Sequence, residues 1–255
     1  MRNITAIAAN TFREGLRAKT LYVLFAYGLL ILFAASALTP LAMGEQGRIL
    51  KDLGLAGIEI MGALLAIVIG TTLVHQEVEK RTIYVILSKP VERYQFIAGK
   101  YLGMEALLLV LVLAMTVIFA LGIVLLDRAF PAVLLVPIAL IFLKLSIINS
   151  LALLFSSLAS PVLGAVFTVC LYLAGNLSRS ILQLAEKLPA MALKMVMTVL
   201  YYLLPNLGNL DFKNEAVFGM AVVWPQVWWG VCYAAAYALA VLTLTAVLFE
   251  GRDAK

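Results

Sequence analysis

Residues 21–43 contain no Asp, Glu, Lys or Arg, and comparable uncharged apolar runs recur along the chain. A run of roughly 20 such residues crosses a bilayer as a helix. Inside lipid, only a helix or a closed barrel satisfies its own backbone. Runs of this length therefore point to an all-α polytopic membrane protein. Composition agrees, with 64% of the 255 residues hydrophobic and 13% charged, against about 25% charged in an ordinary soluble domain. No polar stretch is long enough for a separate soluble unit, so residues 1–255 read as a single transmembrane domain.

Six spans are expected, at 21–43, 57–76, 101–126, 131–158, 161–184 and 227–249. The fifth is the weakest, because its strongly apolar part ends near Gly175 and is followed by Asn176 and Arg179. With the N-terminus inside, eleven Lys and Arg fall on inner segments and seven on outer ones, while Lys144 lies within a span. Cytoplasmic segments carry the basic excess, so both termini and residues 75–100 are expected in the cytoplasm. Ala35-Ser36-Ala37 has the form of a signal-cleavage site. The apolar run before it is long for a signal peptide and starts far from residue 1, so a retained span is expected. The net charge of +5 comes from residues that flank spans, which fits membrane orientation and argues against nucleic acid as a partner. Cys170 and Cys232 read as small core residues. With one histidine, His75, and no CxxC pair, no metal site is expected.

Residues 1–20 have a helical period. Ile4, Ile7, Ala8, Thr11, Phe12 and Gly15 fall on one arc, and Asn3, Asn10, Arg13, Glu14 and Arg17 on the other. A basic amphipathic helix before a span lies flat on the inner leaflet, in contact with membrane lipid. In this reading Phe12 faces the apolar side, and Arg13 and Arg17 the polar one. A polar tail that only sets orientation is the plainer alternative.

Residues 75–100 hold five basic and three acidic side chains between two apolar runs. A connection between spans needs only a few residues. This one alternates apolar and charged positions and is interrupted at Ser88-Lys89-Pro90, since proline disfavours helix in the residue before it. The pattern fits a short helix lying across the cytoplasmic end with a surface made for contact. It also fits a solvated, positive-inside loop. Just beyond, Gly99 and Gly103 form a small-xxx-small pair that lets another helix approach closely.

The stretch EVEKRTIYVILSKPVERYQFIAGKYLG, residues 77–103, resembles the cytoplasmic loop of type-2 ABC exporter (ABC-2 type) permeases. The recurring pattern there is an acidic pair, a threonine, Leu-Ser-x-Pro-Val-x-Arg, a hydrophobic residue and Gly-Lys. Arg81 departs from it, where many relatives carry glycine. NTFREGLRAKTLY, YYLLPNLGNLDFKNE and the tail FEGRD are similar to a subgroup that includes the permease for copper-site maturation of nitrous oxide reductase.

The resemblance implies an amphipathic N-terminal helix, six spans, an external helical hairpin over 187–226 and cytoplasmic ends. It implies that residues 75–100 form a coupling helix docking on a separate P-loop ATPase, through Glu77, Glu79, Thr82, Leu87, Ser88, Pro90, Val91 and Arg93. It also implies a dimer of two permeases, the second an identical copy or a paralogue, with two ATPases, in the cytoplasmic membrane of a prokaryote. ATP and Mg then belong to the ATPase, and this chain binds no cofactor. Indeed no GxxxxGK[ST] phosphate cradle occurs in the sequence. Nor does a GxSxG or HExxH motif, so no catalytic residue is expected.

Lys144 lies near the middle of the fourth span, where insertion costs about 2.5–3.5 kcal/mol. Ser146, Asn149 and Ser150 follow it. Lys144 and Asn149 mark a candidate polar site facing a translocation path. Alternatively, Lys144 is structural and pairs with a carboxylate such as Glu59 or Glu105. The expected activity is that of a membrane permease subunit of an ATP-driven exporter. The rivals are a non-transporting scaffold or assembly factor, and a secondary transporter.

Overall fold

A computed structural model describes residues 2–17, 20–37, 46–79, 93–127, 130–178, 194–197, 199, 201 and 204–250. Its described elements are all helical. They are α1 (Arg2–Arg17), α2 (Thr20–Ala37), α3 (Gln46–Glu79), α4 (Arg93–Asp127), α5 (Leu135–Leu158), α6 (Pro161–Asn176), α7 (Lys213–Val217) and α8 (Trp224–Glu250). Short 3-10 turns at Ala132–Leu134 and Leu207–Leu210 precede α5 and α7. Four helical segments are long and apolar enough to cross a membrane, Gly47–Thr72, Tyr94–Leu125, Ala132–Leu158 and Trp224–Leu248. They become five if the bent pair α1–α2 counts as one span.

The centre of the bundle is the pairing of α3 with α5. Two glycines bring these helices together. A Cβ on Gly62 would stand 2.5 Å from Leu145, and one on Gly70 2.6 Å from the Cβ of Ala152. Small residues allow such approach where lipid supplies no hydrophobic drive between helices. Ile147, Ile148, Ala152 and Ile58 are fully enclosed there. Around this pair lie α2, α4, α6 and α8, and α8 is the least covered of the spans. Apolar side chains such as Phe25, Val162 and Trp229 stay exposed on outer faces, as lipid-facing residues do.

Several boundaries differ from the sequence expectation. The second span was placed at 57–76, but α3 begins at Gln46 and ends at Glu79. Polar residues such as Lys51 and Asp52 are carried within the helix without interrupting it. The third span likewise starts within a longer helix, from Arg93. The fifth, expected over 161–184, is a helix of 16 residues ending at Asn176. Its start follows from Ser160, extended at φ −63° and ψ 158°, as the residue before a proline tends to be. Cys170 and Cys232 are exposed on helix faces instead of sitting in the core. Both lie in runs apolar on every side, where hydropathy cannot tell the lipid face from the packed one.

Residues 204–217 lie against α3, α5 and α6. Leu207, Gly208, Leu210, Phe212, Ala216 and Val217 are buried. At Gly175 a Cβ would stand 2.6 Å from the carbonyl oxygen of Pro205, so the end of α6 receives this segment backbone to backbone. Within the 187–226 stretch, residues 187–193, 198, 200, 202 and 203 lie outside the described residues.

Candidate functional site

Glu59 is 3% exposed, on α3, with apolar neighbours in sequence on either side. A buried carboxylate is tolerated when ion pairs and hydrogen bonds compensate its lost hydration. Two cations do so here. Lys144 Nζ on α5 donates to Glu59 Oε1 at 2.7 Å. Lys213 Nζ on α7 donates to Oε2 at 2.6 Å. Tyr172 on α6 adds its hydroxyl to Oε1 at 3.3 Å. Lys144 also donates to Asn176 Oδ1 at 2.9 Å, and Asn176 in turn donates from Nδ2 to the Tyr172 carbonyl at 3.0 Å. The isolated lysine of the fourth span is thus paired with Glu59, and its fully buried charge is directed at a carboxylate and an amide.

Asp211 completes the cluster, with Oδ2 3.7 Å from Lys213 Nζ. Two lysines and two carboxylates leave no net charge. Burial works to lower the ammonium of Lys213, but the adjacent Glu59 and then Asp211 offset it, and the net displacement is upward from the ordinary lysine value.

A second polar group lies between α4 and α5. Asn149 Nδ2 donates to Glu105 Oε1 at 2.9 Å. Tyr101 and Ser146 share a hydrogen bond of 2.7 Å between their hydroxyls. Lys144 and Asn149 therefore engage different helices, the first turned toward α3 and α6, the second toward α4.

A third contact concerns the N-terminal helix. Its apolar arc seats on α4: a Cβ at Gly103 would stand 2.6 Å from the Ala8 carbonyl oxygen, and one at Gly99 2.8 Å from Ile7. Thr11 is buried and Phe12 half-buried, while Arg13 and Arg17 are exposed on the opposite side. The glycine pair marked in the sequence is thus the seat of α1.

Three of the eight residues marked for ATPase contact lie on described helices. Glu77 and Glu79 belong to the last turn of α3 and Arg93 begins α4. Thr82, Leu87, Ser88, Pro90 and Val91 lie outside the described residues. The stretch 75–100 thus includes the end of one helix and the start of the next, with 80–92 between them outside the described residues.

Sequence reasoning missed the half-buried Lys213 and Tyr172 and the buried Asn206 as polar positions within the bundle. Asn206 accepts from Ser178 at 2.8 Å, donates from its amide to the Tyr201 hydroxyl, and gives its backbone N–H to the Tyr233 hydroxyl at 2.7 Å. All three residues sit in or beside stretches that read as outer or apolar. For Lys213 and Tyr172 the signal was the carboxylate at 59, which needs partners from distant segments; Asn206 bonds other residues and had no such signal.

No curated protein matches the chain. The family described as ABC-2 family transporter protein matches it over residues 5–254. That range takes in the bundle from the first turn of α1 onward, with both polar groups and the seat of α1, and so this multi-pass membrane chain belongs to the ABC-2 transporter family, as a permease subunit.

Proposed function

We propose that this permease subunit is the membrane half of an exporter, driven through residues 75–100 by a P-loop ATPase on a separate chain. The carrying observation is the seat of α1 on Gly99 and Gly103, at the point where α4 leaves that stretch. There α1 and the base of α4 are locked together by contacts to backbone, so a push delivered at 75–100 reaches a rigid unit instead of a loose loop. Family membership supports the reading, because such permeases generally work with a separate ATPase subunit.

In this reading Glu77, Glu79, Thr82, Leu87, Ser88, Pro90, Val91 and Arg93 contact the ATPase, which holds ATP and Mg. Phe12 anchors α1 to the bundle, and Arg13 and Arg17 face the inner membrane surface and its lipid. The chain crosses the cytoplasmic membrane of a prokaryote six times, with both termini inside. The 16 residues of α6 make the short crossing, tolerated by local thinning of the bilayer. Two copies assemble with two ATPases. In this reading the chain serves in the setting of the nitrous oxide reductase maturation subgroup, which residues 10–22 and 201–215 resemble. Lys144 acts in holding the bundle together.

The test is purification of the tagged chain in mild detergent with mass spectrometry of what accompanies it. A stoichiometric P-loop ATPase, lost on substitution of Glu77, Glu79 and Pro90 together, is the expected result. A chain that purifies alone, or with a soluble enzyme and no ATPase, favours the scaffold reading. Transport and ATPase turnover unchanged by the triple substitution count against coupling through this stretch.

A further inference from the structure

Two carboxylates on spanning helices, the buried Glu59 and the half-buried Glu105, are treated in opposite ways. Glu59 has two lysines. Among the described residues Glu105, on α4, has none: those that act on its carboxyl are Asn149 and Ser146 on α5 and Tyr101 on α4 itself. Among the described residues no charged group from α1, α3, α5 or α8 faces it. Lys100, on the same helix, is turned over the Phe96 ring at 5.9 Å. Lys144 is engaged by Glu59 and Asn176. Arg13 and Arg17 of α1 stand exposed. An ionised carboxylate in such a place has no counter-charge to offset its lost hydration, whereas a carboxylic acid needs only hydrogen bonds.

A second observation bears on the same place. Asn149 is fully buried, and among the described residues its Oδ1 has no hydrogen-bond donor. Its Nδ2 already donates to Glu105 Oε1. Buried acceptors are almost always satisfied. An acid and an amide side by side form a reciprocal pair, with the amide N–H given to one carboxyl oxygen and the acid O–H given to the amide oxygen. A proton on Glu105 Oε2 supplies the donor that Asn149 lacks.

We propose that Glu105 is an intramembrane proton site: it holds one proton as a neutral carboxylic acid while α4 and α5 are packed as here, and releases it to solvent when the helices part and water reaches the carboxyl. One proton is bound and one returned, with no other reactant. The Tyr101–Ser146 hydroxyl pair, one helical turn toward the start of α4, is positioned to relay it. The proposal does not depend on the exporter reading, since it concerns a carboxyl and its neighbours whatever the bundle carries.

The test is infrared spectroscopy of the full chain reconstituted in lipid, reading the carbonyl stretch of protonated carboxyl groups, which is separate from the carboxylate bands. At neutral pH the wild type is expected to show such a band, and Glu105→Gln to lose intensity equal to one carboxyl per chain. Glu105→Gln keeps the acceptor for Asn149 Nδ2 and gains an N–H for Asn149 Oδ1, so it is expected to fold. Should it not, Glu105→Asp shifts the band instead of removing it. A spectrum unchanged by either variant overturns the proposal. So does a band that appears only on removing sodium, which makes the place a cation site.

Discussion

Lys213 Nζ lies 2.6 Å from Glu59 Oε2, a pairing between residues 154 positions apart. It fastens the segment before α8 to the central helix α3. Glu59 receives Lys144 on its other oxygen, so the carboxylate is the shared element, and either lysine alone can still neutralise it.

That sharing ranks three substitutions. Glu59→Gln leaves two ammonium groups with only the more distant Asp211, 3.7 Å from Lys213, as a carboxylate. Removing one member of a buried pair costs about 3–5 kcal/mol, and this variant should be the least stable. Lys144→Met keeps Glu59 bonded to Lys213 and should come second. Lys213→Met should be mildest, near the low end of the about 1.5–3 kcal/mol for a hydrogen bond to a charged group, because its side chain is 20% exposed. Thermal unfolding of the purified variants reads the order. The double variant Glu59→Met with Lys144→Met should lose less than the sum of its singles, since neither charge is left stranded. Strict additivity contradicts the pairing.

The same pair sets a pH window. The ammonium of Lys213 is held above its ordinary value of 10.5 when folded. The folded chain therefore keeps that proton where the unfolded chain loses it. Its contribution is complete below the unfolded lysine value of about 10.4, and disappears as pH rises through the higher folded value. The stability difference between wild type and Lys213→Met should be flat from neutral pH to about 10, then shrink on further alkalinisation. A difference already falling near neutrality contradicts it.

Local signals in the sequence served where neighbours in sequence are neighbours in space. The uncharged runs become helices because lipid permits little else. The apolar arc Ile4, Ile7, Thr11 and Phe12 is the buried face of α1, and Gly99 and Gly103 are its seat. The arc was read as facing lipid; it meets α4, and periodicity alone does not name what an apolar face touches. The sequence leaves Lys144 either facing a translocation path or paired with Glu59 or Glu105, and the pairing with Glu59 depends on the geometry of α3 against α5. Lys213 escaped notice because Asn209, Asp211 and Asn214 around it give the polar composition of an outer loop. Its capture depends on a bond across most of the chain, which no local pattern carries. Helix ends were also hidden: Lys51 and Asp52 lie inside α3, since charge ends a span but not a helix.

The seat of α1 makes a prediction about glycine. At Gly103 a Cβ would stand 2.6 Å from the Ala8 carbonyl oxygen and 2.7 Å from the Thr11 Cβ. Backbone cannot step aside as a side-chain tip can, so Gly103→Ala must lift α1. Overpacking of this kind costs about 1–3 kcal/mol. Gly28→Ala is the control, because a Cβ there meets nothing within 4 Å. A cysteine placed at Ala8 should react faster with a water-soluble maleimide in the Gly103→Ala background, and at the wild-type rate beside Gly28→Ala. Equal rates in both backgrounds contradict the seat.

Asn206 ties three segments together through one side chain and its own backbone. Ser178 donates to Oδ1 at 2.8 Å from just past the end of α6, the side-chain amide donates to the Tyr201 hydroxyl, and the backbone N–H donates to Tyr233 of α8 at 2.7 Å. Ser178 is fully buried, so Asn206→Leu leaves a hydroxyl with no acceptor, a loss of about 1–3 kcal/mol. Tyr233→Phe spares Ser178 and strands the backbone N–H instead, with a loss in the same range. Both should lower the unfolding temperature, and both should speed maleimide labelling of a cysteine at Leu207, buried in the wild type. Lys213→Met should speed the same labelling, because it loosens the same segment from α3. If Asn206→Leu destabilises the protein while residue 207 stays as protected as before, Asn206 acts on α6 alone and the segment is held by Lys213.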